Sequence, residues 1–434
     1  MNIQMMKRGF WAVGAVFVLI GSIGWYDRLL NGHENANYGS LIPWGLWVAV
    51  YIFFIGLSAG SFLISTLVYV FGMKKFEPVG RLALFTALVT LGCALLSIWA
   101  DLGFMFRFWH VYAYPNFQSP MAWMIWLYTT YFLLLAVETW YVLRRDMVVA
   151  RDDSGWKAPV YRVLTFGTHK TSEESAQRDR KVVKVLAAIG IPVAIMFHGG
   201  VGTLFGVVAA RPAWNSGLFP ILFLLSALVS GGALLTLVSA IFQDGINRYG
   251  DTIVALGQLV VAMLMLDVLF QISEILITSY GSVPGHMAAL KLMISGPYWW
   301  VFWVWQILIG TLIPLVILLA PTRRNPRWVA GAAGLIVVGF IGVRLNIVIP
   351  SLSVEEIKGL DDAIASVRVS TDYFPSLMEW LVTMFIVGVG MLLFGLGEKL
   401  LPREPEEAVT ESPPPDQGVL SGVGASGGDD HVQA

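Results

Sequence analysis

The sequence is dominated by apolar runs too long for the core of a soluble domain. A helix needs about 20 apolar residues to cross a hydrocarbon core of about 30 Å. Ten segments meet that requirement: 9–26, 43–71, 81–104, 120–143, 182–210, 217–243, 252–280, 298–320, 328–350 and 375–398. In lipid every backbone N–H and C=O must be satisfied inside its own segment, so runs of this kind are helices. A transmembrane barrel would instead show segments of about ten residues with alternating polarity, and none occur. Charged residues make up only 13% of the chain, half the roughly 25% usual in soluble domains, and mean hydropathy is +0.70. The fold class expected is therefore all-α integral membrane, with ten transmembrane helices.

An even number of crossings puts both termini on one side, and the distribution of Lys and Arg says which. The side of the termini carries 21 of them, the other side 6, and Arg344 lies inside a helix. The excess predicts cytoplasmic termini in an inner (cytoplasmic) membrane. The first segment, with Lys7 and Arg8 before it, has the outline of a signal peptide, but no small-x-small cleavage site follows; the chain continues Gly24-Trp25-Tyr26-Asp27. It reads as a retained helix. The longest connection, 144–181, is basic and reads as a cytoplasmic loop anchored on anionic membrane lipid. Residues 401–434 are rich in Pro, Gly, Ser and acid and read as a disordered cytoplasmic tail.

Several chemistries are excluded by counting. A net charge of -1 offers nothing to nucleic acid. The single cysteine, Cys93, cannot make a disulfide, a four-cysteine zinc site or a cysteine-ligated iron–sulfur cluster within this chain. A bis-histidine haem needs two deep histidines on facing helices. His33, His110, His169, His286 and His431 fall in loops or the tail, and only His198 is deep. The expectation is no haem, no iron–sulfur cluster and no other metal in this chain. Any electrons must then come from another protein.

Ionisable residues inside the bilayer are costly and mark pathways or sites. Odd helices run outward and even helices inward, which puts Asp101, His198, Glu274, Arg344 and Glu379 in the outer half, Asp267 near mid-depth and Glu138 toward the inner face. Five helices contributing polar groups at one depth point to a cavity; the competing reading is structural ion pairing, as of Arg344 with Glu274 or Glu379. His198 opens the run His198-Gly199-Gly200-Val201-Gly202-Thr203. Its glycines permit close helix packing, and equally leave a slot where a flat ring could lie against Gly199 and Gly202 and bond to the imidazole. A quinone has two carbonyls needing donors and takes up two protons on reduction, which a histidine and a carboxylate can supply. The quinone-binding set expected is His198, Asp101, Gly199, Gly202, Glu274 and Arg344, with Asp101 and His198 around one ring. Glu138, Asp267 and Glu379 are candidates for proton transfer.

The run Ile42-Pro43-Trp44-Gly45-Leu46-Trp47, followed by Phe54-Ile55-Gly56-Leu57-Ser58-Ala59-Gly60, resembles the opening of membrane subunits of the NrfD/polysulfide reductase family. Asp101-Leu102-Gly103, Glu138 after an aromatic-rich helix, His198-Gly199, Glu274, Arg344-Leu345 and Tyr373-Phe374-Pro375 with Glu379 extend the resemblance over most of residues 40–400. Ten helices are similar to the long branch of that family, with HybB, HmcC, QrcD and DsrP. The resemblance implies a membrane domain over 1–400 made of two four-helix bundles (43–210 and 217–350), flanked by helices 9–26 and 375–398. It also implies menaquinone or ubiquinone near the outer face. The implied partners are a multi-cluster, ferredoxin-like iron–sulfur subunit docked on that face and a catalytic subunit or multihaem cytochrome. The aromatic loop Phe104 to Gln118 is a candidate docking surface, and equally an interfacial belt.

The function expected is thus a quinone-reactive membrane subunit of a respiratory oxidoreductase, not catalytic alone, with proton translocation as an open addition. A proton-coupled secondary transporter is the alternative, though no inverted repeat or paired interrupted segments are visible. A pure membrane anchor would leave deep Glu138, Asp267 and His198 as an unexplained cost.

Overall fold

The structure, a computed structural model, describes residues 3–151, 155–242, 245–364 and 366–400. The tail expected from 401 onward lies outside them. Ten helices among the described residues are long and apolar enough to span a bilayer. They are α1 (Ile3–Asn31), α2 (Leu46–Tyr69), α3 (Glu77–Asp101), α4 (Pro120–Ala150) and α5 (Glu173–Gly206). Then follow α6 (Phe219–Ile241), α7 (Gly250–Gly281), α8 (Val301–Leu319), α9 (Pro326–Leu352) and α10 (Leu377–Leu400). No strand occurs among the described residues. The chain is a multi-pass integral membrane protein.

A helix that is apolar on every side has to be surrounded by protein or lipid, and α2 is the one that protein encloses: almost every residue from Leu46 to Thr66 is buried. Around it, α2 packs on α3 and α5, and α4 closes a ring by packing on both. A second ring runs α6, α7, α8 and α9, with α6 also against α9. The rings meet where α2 lies on α6 and α9, and α5 on α6. Outside them α1 pairs with α10, which also lies on α3.

Small residues set the closest crossings, because lipid gives helices no hydrophobic reason to associate and packing must do it. A methyl on Gly60 of α2 would sit 2.9 Å from the Cα of Gly231 on α6, so the rings meet backbone to backbone there. Gly310 of α8 and Gly339 of α9 repeat the device; a methyl on Gly310 would lie 2.9 Å from the Gly339 Cα.

The connection 144–181 is mostly helical, not the open loop expected. α4 runs on to Ala150 and α5 starts at Glu173, with a short helix at Ala158–Leu164 between them. Two local causes are visible. Ser172 caps α5 by accepting from the Ser175 N–H, with Glu173 and Glu174 in the first turn. Arg144 of α4 is paired with Asp179 of α5 and donates to Ser175 Oγ at 2.8 Å, so the polar extensions brace each other. On the other side a helix Pro284–Ile294 fills the α7–α8 connection. α8 itself opens as a π-helix over Val301–Leu312, before Pro314, which has no N–H to give to the preceding turn.

Candidate functional site

Within the second ring is a cavity of about 170 Å³. An apolar cavity of about 150 Å³ is large enough for a benzene ring, so this one has room for a ring. One face of α7 contributes Asp267, Gln271, Glu274 and Thr278, at the i, i+4, i+7, i+11 spacing of a helical stripe. Arg344, Asn346 and Ser351 enter from α9, Gln306 from α8, and His286 from the helix Pro284–Ile294. Phe219, Leu222 and Phe223 of α6, with Trp214 before it, close the apolar side.

The polar side is organised by a ladder of side-chain amides. Gln271 Nε2 donates to Asp267 Oδ2 at 2.5 Å, Gln306 Nε2 to Gln271 Oε1 at 2.8 Å, and Asn346 Nδ2 to Gln306 Oε1 at 2.7 Å. Each amide passes a hydrogen bond to the next, so three helices are joined in a single polarised chain that ends on the Asp267 carboxylate. The π-helical turn takes part: Thr311 Oγ1 donates to the Gln306 carbonyl at 3.0 Å. At the far end Asn346 Oδ1 is buried with no donor.

Arg344 is 1% exposed, and none of its three guanidinium nitrogens has a hydrogen-bond partner. It forms no ion pair among the described residues. Its guanidinium lies 5.3 Å from the centre of the Phe223 ring, which offers only a cation–π contact. Gly56 of α2 makes the space for it; a methyl there would come within 3.1 Å of Nη2. A buried cation with unused donors and a buried carboxylate on the same cavity wall are costly unless something between them completes their bonding.

His198 is fully buried and both its ring nitrogens lack a partner. It does not line the cavity; its ring lies 6.1 Å from that of Phe223, the residue over which Arg344 also lies. The glycines after it serve packing. A methyl on Gly202 would be 2.7 Å from the Phe219 carbonyl and the Pro220 Cα, while Gly199 has only Pro220, at 4.0 Å.

Asp101 belongs to a different group, at the end of α3. Its charged neighbours are Arg28 and Glu379, and Tyr38 faces it, so it shares none with His198. The two expected around one ring thus have no charged neighbour in common. Arg28 donates to the carbonyls of Ala100, at 2.7 Å, and Leu102, and meets His33 Nε2 at 3.2 Å. Glu379 is a clamp: its carboxylate accepts from Asn37 N at 2.9 Å, Ser376 N at 3.1 Å and the Tyr373 hydroxyl. Trp47 Nε1 donates to its carbonyl at 3.1 Å. With those oxygens occupied, Glu379 ties the 32–45 segment and α10 together.

Glu138 lies in the first ring, fully buried, with both oxygens unpartnered. No hydrogen bond connects it to Asp267 among the described residues. Among the described residues no group of three or more His, Cys, Asp or Glu is arranged to hold a metal. Of the residues singled out from sequence, the cavity thus gathers Asp267, Glu274 and Arg344. It adds Gln271, Gln306, Asn346 and His286, of which the first carried a legible signal: it stands one helical turn after Asp267.

The family described as Polysulphide reductase, NrfD, matches residues 34–355, about three quarters of the chain. The protein belongs to the NrfD family. Among its relatives is a subunit of the selenate reductase of Mesobacillus selenatarsenatis, 39% identical over 92% of this chain and 95% of that one. The Hdr-like menaquinol oxidoreductase integral membrane subunit of Archaeoglobus fulgidus is 26% identical over 93% and 95%. The menaquinone reductase integral membrane subunit of Nitratidesulfovibrio vulgaris is 23% identical over 91% of each chain. The NrfD match ends at residue 355, so it takes in the cavity and Arg344 but not the Glu379 clamp.

Proposed function

We propose that this NrfD-family chain is the membrane subunit of a respiratory oxidoreductase complex and that a quinone or quinol reacts in the cavity enclosed by α6 to α9. The observation that carries the reading is the buried, unpartnered guanidinium of Arg344 on the same cavity wall as Asp267. That two full-length relatives are named for menaquinol or menaquinone supports the choice of ligand. A quinone exchanges two electrons and two protons between the membrane and the complex.

The residues divide the work by chemistry. Arg344 donates hydrogen bonds to a ring carbonyl and favours negative charge developing on it. Asn346 Oδ1, the free end of the ladder, accepts from a ring hydroxyl. Asp267 holds a proton at its carboxyl and is kept in place by Gln271. Glu274 and His286, toward the outer end of the cavity, relay protons between it and the aqueous side. Phe219, Phe223 and Trp214 exclude water and flank the ring. His198, behind Phe223, positions that wall and Arg344. Electrons are exchanged with an iron–sulfur partner, with a catalytic subunit beyond it; the exposed aromatic loop around Phe104, Phe106 and Tyr114 is the docking surface on this reading.

The test is quinone turnover by the purified complex. Arg344→Gln and Asp267→Asn should each lower it about ten- to a hundredfold, the loss of one charge-assisted hydrogen bond, with assembly intact. His198→Ala should act more weakly than either. Normal turnover in Arg344→Gln would move the ring out of this cavity.

A further inference from the structure

At the end of the first ring remote from Asp101, a second cavity, of about 570 Å³, opens where α2 and α4 end and α3 and α5 begin. It has two kinds of wall. Val68, Val142 and Val183, with Tyr69 and Tyr141, form an apolar flank. Lys74, Arg81, Arg145, Arg180 and Lys184 form a cationic flank.

The acids present do not neutralise that flank. Asp146 is taken by Arg81, at 2.6 Å. Asp179 is taken by Arg144, which is not part of the wall. Arg145 and Arg180 share one carboxylate, Glu173, at 3.5 and 2.6 Å. Lys74 and Lys184 have no ion pair among the described residues, and Glu77 is the remaining acid in the wall. Lys74, Arg145, Arg180 and Lys184 therefore share the lining with one unengaged carboxylate, Glu77, and have Glu173 beyond it. Their mutual repulsion is relieved by an anion that several of them can reach at once.

We propose that this cavity binds the phosphoryl headgroup of an anionic membrane phospholipid, of the phosphatidylglycerol or cardiolipin class. The cations bind the phosphodiester, and the apolar flank receives the glycerol backbone and the first acyl methylenes. A free phosphate uses only the first of these walls. Basic pockets between transmembrane helices at headgroup level are suited to such lipids. Here the ligand joins the polar extensions of α4 and α5 to the α2–α3 connection.

The experiment is native mass spectrometry of the full-length chain in neutral detergent, with phosphatidylglycerol as probe and phosphatidylcholine as reference. The wild type should retain phosphatidylglycerol preferentially. Arg145→Gln with Lys184→Gln should weaken that retention about tenfold or more, while Arg323→Gln with Arg324→Gln leaves it unchanged. Inorganic phosphate should not displace the lipid. Equal retention by wild type and the Arg145/Lys184 variant would overturn the proposal, and displacement by inorganic phosphate would reassign the cavity to a soluble anion. Should the double variant fail to fold, Lys74→Gln, in an exposed connection, should still lower retention about threefold, and undiminished binding there overturns the proposal equally.

Discussion

At the scale of single residues, the structure separates polar groups that carry a load from polar groups left without partners. Glu379 and Arg28 are satisfied and join segments; Arg344, His198, Glu138 and Asn346 Oδ1 are buried with bonding capacity to spare. The amide ladder lies between these classes, and cutting its middle rung is informative. Gln306→Leu strands the Gln271 carbonyl oxygen and the Asn346 amide, at about 1–3 kcal/mol for each orphaned group. The variant should melt at lower temperature in detergent and lose quinone turnover; an unshifted melt would mean that the ladder bears no weight. His33 gives a pH prediction. Burial, then the neighbouring Arg28, lowers its pKa to about 4 from the usual 6.5, and the Arg28 contact needs its ring nitrogen as acceptor. The folded state therefore keeps His33 neutral while the unfolded state takes up a proton as pH falls below about 6.5. Its contribution is full above that pH and is lost on acidification toward 4. Melting temperature followed from pH 7.5 to 4.5 should fall more steeply in wild type than in His33→Gln; parallel curves would rule His33 out.

At the scale of elements, the arrangement depends on where small residues let helices touch. Gly56 and Gly60 are one turn apart on α2 and do different jobs: the first leaves room for the Arg344 guanidinium, the second brings α2 onto α6 at Gly231. Gly60→Val should push the rings apart at their closest point and cost about 1–3 kcal/mol or more, the range for overpacking. The expected readout is loss of detergent-stable protein, where Gly92→Val, with open space around it, has none. Equal yields of the two variants would show that the crossing tolerates separation. The π-helical opening of α8 is the other element-level feature, since it turns Gln306 to meet partners from both α7 and α9.

At the scale of the molecule, the ten helices are two rings joined through α2 and α6, with α1 and α10 packed on one flank. The ring cavity and the cationic cavity occupy different rings and opposite ends. The 21-to-6 imbalance of Lys and Arg predicts cytoplasmic termini. A reporter fused after Lys170 should be active in the cytoplasm, and one fused after Gln118 should not be. A cytoplasmic signal from Gln118 would break the alternation.

The sequence by itself determined the class of molecule and the number of spans, because these are one-dimensional quantities: length and hydropathy. It also marked Asp267, Glu274 and Arg344, since charge in an apolar run is conspicuous. Which of those groups meet was decided only by the tertiary structure, because meeting depends on the rotation of each helix about its axis and on the neighbour it faces. Asp101 and His198 face different partners for that reason. The amides went unmarked for another: Gln306 and Asn346 carry no charge, and become part of a site only when α7, α8 and α9 are packed closely enough for each to satisfy the next.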